Sequence, residues 1–472
     1  MEHPPLRKPD TREGPQKRDR SRACVLHPIL GQADGSFSAE ARLDEAVGLA
    51  AAIDLDVVSA WSVPVRTPRP ATLVGSGTLE ELTRTVAAQD ATVVIIDHPL
   101  SAIQQRNLER ELKCKVIDRT GLILEIFGAR ANTREGVLQV ELAALSYQRS
   151  RLVRSWTHLE RQRGGLGFIG GPGESQLEID RRRIDERIVN LKASLQDVRR
   201  TRGLHRRSRE RIPLPTIALV GYTNAGKSTW FNRLTGAGVV AKNQLFATLD
   251  PTIRKLKLPT REEVAVSDTV GFVSNLPTQL VEAFRATLEE VTTARLIVHV
   301  RDASSPAFVH QASDVYDVLT SLGIGDEDQG QRVIELWNKA DLLSDDDLSE
   351  LVPATHPLPV VLGSAVTGLG EAELLDAIAK KLDQDRHHLR IELDASLGEA
   401  TAEIFRRSTV VATEHRDGRL IMDVAVEPDQ LQRLQALAER HDMVMAAAPQ
   451  MMTLPTPRSI LPGQASSLAR SQ

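Results

Sequence analysis

The residues best suited to chemistry stand together as Gly221, Tyr222, Thr223, Asn224, Ala225, Gly226, Lys227 and Ser228. The glycines of such a loop let successive backbone N–H groups turn toward one anion, and the start of a helix adds its dipole. Lys227 would reach the β and γ phosphates of a nucleotide, and the Ser228 hydroxyl would hold Mg²⁺. The flanks suit this work. Thr216 to Val220 is a short apolar, β-rich run, and a helix is expected from Thr229 onward. A tight turn without a ligand is the competing reading, and the strand-loop-helix context disfavours it.

Three later stations define the nucleotide. Val264 to Val266 reads as a strand delivering Asp268, Thr269, Val270 and Gly271. Asp268 is placed to hold Mg²⁺ through water, and the Gly271 amide to sense the γ phosphate. Val333 to Trp337 is a strand delivering Asn338, Lys339, Ala340 and Asp341. The Asp341 carboxylate can only accept, and guanine presents two donors to it at N1–H and the exocyclic amine. Adenine offers an acceptor at N1, so the mismatch can discriminate by roughly 10⁴. Lys339 would lay its methylene stem over the base while Asn338 braces the phosphate loop. After a last strand, Leu358 to Leu362, come Ser364, Ala365 and Val366; the Ala365 N–H would meet guanine O6.

Where many GTPases follow the second switch motif with a glutamine that orients water, this chain has Phe272. A phenyl ring can neither donate nor accept the needed hydrogen bond. Its place in the switch favours a functional reading over ordinary core. Hydrolysis is therefore expected to be slow alone and faster when a partner orders the switches. Catalysis would rest on Lys227, Mg²⁺ and the Gly271 amide, by positioning and charge neutralisation.

The elements that must hold these loops make an α/β chain of 472 residues. A P-loop GTPase domain at 212–383 is expected after a small α/β domain at 23–134 that carries an antiparallel coiled-coil hairpin at 135–211. A small α+β domain at 384–442 follows, with disordered tails at 1–22 and 443–472. In the first domain Val57 to Val63, Ala91 to Ile96 and Lys115 to Asp118 read as strands, and Gly77 to Ala88 and Ser101 to Lys113 as helices. Asp97-His98 ends a strand there and is read as loop polarity. In the last domain Arg390 to Leu393 and Leu420 to Val426 are strands, Leu397 to Arg407 and Pro428 to Arg440 helices, and His415 to Gly418 a turn.

Net charge is -4, so any nucleic-acid contact must come from a local patch. Cys24 and Cys114 alone make no disulfide framework and fit a reducing cytoplasm. No apolar run approaches the roughly 18 residues that span a bilayer.

The hairpin supplies the local patch. Leu138, Leu142, Leu145, Leu152, Trp156 and Leu159 follow a coiled-coil spacing, as do Leu177, Ile184, Ile188, Leu191, Leu195 and Val198. From Arg151 to Arg211 there are sixteen Arg/Lys against eight Asp/Glu, a candidate RNA-facing surface; solvated helix faces are the plainer alternative. The tip, Arg161 to Glu174, holds six glycines in fourteen residues and reads as a probe that orders on a partner.

These motifs in this order resemble the translation-factor branch of P-loop GTPases, and two more stretches narrow the likeness. Leu245 to Thr252, with Phe246, Ala247, Thr248, Leu249 and Asp250, is similar to the first switch of the HflX family of ribosome-associated GTPases. Gly170 to Glu178, followed by Asp180-Arg181-Arg182, resembles that family's signature, with Ser175 where Thr is usual. Val366 stands where the family more often has Lys. The resemblance implies that 246–250 contact nucleotide and that Thr248 coordinates Mg²⁺ beside Ser228. It also implies a large-ribosomal-subunit (rRNA) partner and a role in splitting or rescuing stalled ribosomes under stress. A monomer is expected. Two other readings stay open: an RNA or ribosome tether with weak turnover, and an ATP-using RNA-remodelling enzyme.

Overall fold

The computed structural model describes residues 21–31, 39–162, 176–209, 214–238, 246, 252–260, 262–274, 288, 290–344, 346–347, 351, 357–384 and 386–448. Two compact units divide the chain, residues 1–379 and 380–472.

The first unit opens with β1 (Arg22–Leu30), α1 (Ala39–Ala51), β2 (Asp56–Val65), α2 (Ser76–Ala88), β3 (Val93–Ile96), α3 (Ala102–Leu112), β4 (Lys115–Asp118) and α4 (Arg119–Arg130). The strands form a parallel sheet in the order β2-β1-β3-β4. Alternate residues of β1 feed two apolar layers. Ala23 and Val25 pack with the α1 and α4 side, whereas Cys24 and Leu26 pack with the α2 and α3 side. A sheet covered on both faces needs strands that are apolar throughout, which is why Val93–Ile96 reads VVII. The central β1 was not among the strands expected from sequence. Pro28 interrupts it, yet pairing with β3 ends at Leu26, so the missing donor falls where one edge of β1 is already free of β3.

Helices α5 (Arg134–Gln162) and α6 (Gln176–Arg209) form the hairpin, with ion pairs Arg149–Asp185 and Arg187–Glu141 at 2.7 Å. Ile188, Leu191 and Leu195 of α6 are buried as the spacing requires. Among the described side chains of α5, Gln139, Val140 and Ala143 are buried, while Leu138, Leu142 and Leu145 are half-buried. Val140 and Ala143 belong to the same apolar cluster as Phe127 of α4, so the root of α5 is part of the first domain's core. The side chains of Leu152, Trp156, Leu159 and Leu177, and the glycine-rich tip, lie outside the described residues.

The strands β5 (Thr216–Val220), β6 (Thr252–Lys257), β7 (Glu263–Asp268), β8 (Leu296–Asp302), β9 (Val333–Asn338) and β10 (Val360–Leu362) make the second sheet. Their order is β10-β9-β8-β5-β7-β6, and only β6 runs antiparallel to its neighbour. The chain leaves β5 for one side of the sheet and returns to β8 on the other. The carboxyl end of β5 is thus the switch point where open α/β sheets keep their ligands. Helices α7 (Lys227–Thr235), α8 (Phe308–Ser321), α9 (Asp326–Arg332) and α10 (Glu371–Asp383) accompany it. Among the described residues no helix is long and apolar enough to cross a membrane.

The second unit holds β11 (His387–Asp394), α11 (Gly398–Arg407), β12 (Thr409–Arg416), β13 (Arg419–Val426), α12 (Pro428–Arg440) and β14 (Val444–Ala447). Its antiparallel sheet has the order β12-β13-β11-β14, over a core of Ile391, Leu393, Ile404, Met422, Val424 and Leu434. Two expectations are corrected. His415 and Arg416 belong to β12, and the turn is Asp417-Gly418, both at positive φ. The tail expected from 443 begins with β14, paired to β11. Both strands are sheet edges, mostly solvent-facing, so neither carries a strong apolar alternation.

Candidate nucleotide site

Gly221 and Gly226 show why this loop requires glycine. Gly221 has φ +149°, and a Cβ there would meet the Val300 carbonyl oxygen at 2.1 Å. Gly226 has φ +99°, and its Cβ would meet Asn338 Nδ2 at 2.1 Å. Asn224 also takes a positive φ of 61° at the exposed crest of the turn. Lys227 then opens α7 with its ammonium folded back onto the loop, donating to the carbonyls of Gly221 at 3.1 Å and Tyr222 at 2.8 Å.

Burial pushes the Lys227 ammonium down to about 8, and the Asp268 carboxylate only partly offsets it. A polyphosphate beside that nitrogen restores the charged form. In the free protein the lysine loses its proton as pH rises past that value, and binding must then recruit one. GDP affinity is therefore expected to be level below pH 8 and to fall by up to about tenfold per unit above it. Titration calorimetry at pH 7, 8 and 9 checks this; an affinity constant across the range would contradict it.

Asn338 joins two stations of the site. Its Nδ2 donates to the Ala225 carbonyl at 2.7 Å, while its Oδ1 accepts from Trp230 Nε1 at 2.8 Å and from the Ala365 N–H at 3.0 Å. The bracing expected of Asn338 is present. The Ala365 N–H expected to meet guanine O6 is directed here to Asn338. Lys339 sits at φ 65° with its Nζ 2.6 Å from Asp302 Oδ2, which pins the stem. Ala340 is buried and Asp341 stands exposed in a short 3-10 turn. Ser364 is buried, and Val366 is 79% exposed. Arg233, at the end of α7, was missed from sequence. It reaches the carbonyls of Ala365 and Val366 and pairs with Glu371 at 2.6 Å, tying the last loop to the phosphate-loop helix.

The second switch begins where β7 ends. Asp268 is fully buried, and its Oδ2 accepts from Ser228 Oγ at 2.6 Å. Two hard oxygens side by side at the start of a helix make a donor set that suits a small divalent cation completed by phosphate oxygens. Thr269 donates to the Leu219 carbonyl at 2.6 Å. Val270 is buried, and Gly271 lies against the loop: a Cβ there would be 2.8 Å from Thr223 Cγ2 and 3.0 Å from Lys227 Nζ. The next residue pairs by backbone with the phosphate loop. Thr223 N–H donates to Phe272 O at 2.8 Å, and Phe272 N–H to Gly221 O at 3.1 Å.

Two aromatic expectations need correction. The Phe272 ring is 2% exposed and belongs to the apolar core, so the reading that set core aside for it fails. Phe246, expected at the nucleotide, is buried edge-on against Phe127 of α4, with centroids 4.7 Å apart. It packs in the first domain's core because an apolar ring gains more there than beside phosphate. Ala247, Thr248, Leu249 and Asp250 lie outside the described residues. Asp97, read as loop polarity, is buried, and salt bridges to Arg119 at 2.6 Å and to His27 at 2.8 Å hold it.

Three family models cover most of the chain. The one described as GTP-binding GTPase N-terminal matches residues 40–128, GTP-binding GTPase Middle Region matches 130–209, and 50S ribosome-binding GTPase matches 216–339. The chain is 47% identical to the GTPase HflX of Magnetococcus marinus over 86% of its own length and 93% of that protein. It is 46% identical to the GTPase HflX of Escherichia coli over 69% of its length and 76% of that protein. Against the GTPase HflX of Lacrimispora saccharolytica the identity is 38%, over 86% and 96%.

Proposed function

Because the chain belongs to the HflX family of GTPases, we propose that it binds GTP in the loops after β5, β7, β9 and β10 and hydrolyses it to GDP and phosphate, slowly alone and faster on the large ribosomal subunit. The observation that carries the nucleotide reading is Asn338, whose one amide holds both the phosphate loop and the loop of Ala365. Asp341 selects guanine through its two donors. Lys227 supplies charge to the β and γ phosphates, and the Gly271 amide faces the transferred group. Ser228 and Thr248 would hold Mg²⁺ directly and Asp268 through water, and the ion would neutralise charge on the phosphates.

The ribosomal part rests on different support. The model matching 216–339 is described as a 50S ribosome-binding GTPase, and the hairpin arm carries sixteen basic residues against eight acidic ones from Arg151 to Arg211. A basic arm suits the rRNA backbone. The protein would act in the cytoplasm, splitting or rescuing stalled ribosomes, with GTP favouring the docked state and hydrolysis releasing it.

Co-sedimentation with isolated ribosomal subunits, in GDP and in a non-hydrolysable GTP analogue, tests this together with phosphate release. Analogue-dependent pelleting with the large subunit is expected, along with stimulation of hydrolysis by at least about tenfold. Pelleting independent of nucleotide, or hydrolysis unchanged by the subunit, would overturn the ribosomal reading.

A further inference from the structure

Ser274 stands three residues beyond Gly271, and each of its polar groups is tied to a different part of the fold. Its N–H donates to Tyr222 Oη at 2.7 Å. Its carbonyl accepts from Arg119 Nη2 at 3.0 Å. Its Oγ donates to Asp314 Oδ2 of α8 at 2.6 Å and lies 2.8 Å from Tyr222 Oη. Tyr222 Oη in turn donates to Glu45 of α1. Arg119 bridges Glu45 at 2.7 Å and Asp97 at 2.6 Å, and Asp97 holds His27 at 2.8 Å. Tyr222, Arg119, Asp97, His27 and Ser274 are all buried.

We propose that Tyr222, Glu45 and Arg119 are positioning residues that clamp Ser274 and so set where the hydrolytic switch holds the Gly271 amide. The inference rests on the GTPase reading above. The backbone of Tyr222 belongs to the phosphate loop, but its phenol points to the first domain. Two anchors therefore fix the short run from Gly271 to Ser274. One is the main-chain pairing of Phe272 with Gly221 and Thr223. The other is the clamp on Ser274. With the Phe272 ring spent in the core, no side chain at that position can orient water, so the rate depends on backbone placement. Buried hydrogen bonds to charged groups are directional and strong enough to hold such a segment. The clamp also spans the first domain and the phosphate loop, so a partner that shifts α1 or α4 would shift the switch.

The test uses the full chain with Tyr222→Phe, which removes one oxygen and leaves the ring. A drop of about tenfold in kcat is expected, with KM for GTP and the affinity for a fluorescent GDP analogue within about twofold. Glu45→Gln is expected to lower kcat as well. The double variant should lose no more than Tyr222→Phe alone, because the residues act as a unit. Rates that are unchanged or raised by Tyr222→Phe, a loss confined to KM, or independent effects that multiply in the double variant would each overturn the clamp. If Tyr222→Phe does not fold, Glu45→Gln carries the same kcat-against-KM test. Unaltered protein that neither binds nor hydrolyses GTP sinks the GTPase reading. Unaltered protein that does both beside an unaffected variant sinks only the clamp.

Discussion

Asp341→Asn is expected to remove most of the preference for guanine. An asparagine keeps the size of the side chain but swaps one acceptor for a donor, which then faces the N1–H and amine of the base. A site built to pair with two donors discriminates by roughly 10⁴, and leaving those donors unmatched returns most of that factor. GDP affinity should fall by about 10³ while ADP binding stays as weak as before. Asp341 is exposed at the start of a one-turn helix, so the fold has little to lose. Competition of GDP and ADP against a fluorescent GDP analogue reads both affinities. Unchanged discrimination would remove the basis for naming guanosine as the nucleoside.

Lys227→Ala should produce the second large effect, with a signature that separates loss of the site from loss of the fold. The buried ammonium has its pKa lowered from 10.5 to about 8, so holding it charged at neutral pH costs about 3 kcal/mol of stability. Two carbonyls offset part of that cost. Truncation removes the penalty along with the charge. The variant should therefore melt within a few degrees of the unaltered protein or above it, yet bind GTP about 10²–10³-fold more weakly. The expected outcome is a lysine kept for phosphate binding rather than for stability. Scanning calorimetry with GTP titration gives both quantities. Tight binding by a folded variant would refute the phosphate-loop assignment.

The GTPase motifs were more legible than the architecture around them. Phosphate binding and guanine reading each require given residue types at fixed offsets within short loops, and local spacing displays such demands. The ends of β5, β7 and β9 were visible for the same reason, since each loop must follow a strand. Contacts between distant segments were not. Tyr222 and Glu45 stand 177 residues apart, and no local pattern links a phosphate-loop tyrosine to a helix of another domain. Phe246 and Phe272 show the limit more sharply. Both lie within switch motifs, and both rings turn away into apolar packing that their neighbours in sequence do not reveal. Edge strands β12 and β14 escaped notice because residues on both of their faces meet solvent, which removes the alternation that marks a half-buried strand.

Composition and motif order alone were enough to specify a guanine-nucleotide chemistry and an α/β frame, because short-range geometry and hydrogen-bonding type suffice for both. Folding in three dimensions was needed to decide which side chains of these motifs stay at the phosphate loop and which turn away into buried packing. That choice depends on buried partners brought from far along the chain, whose pairing becomes favourable only once water has been excluded from between them.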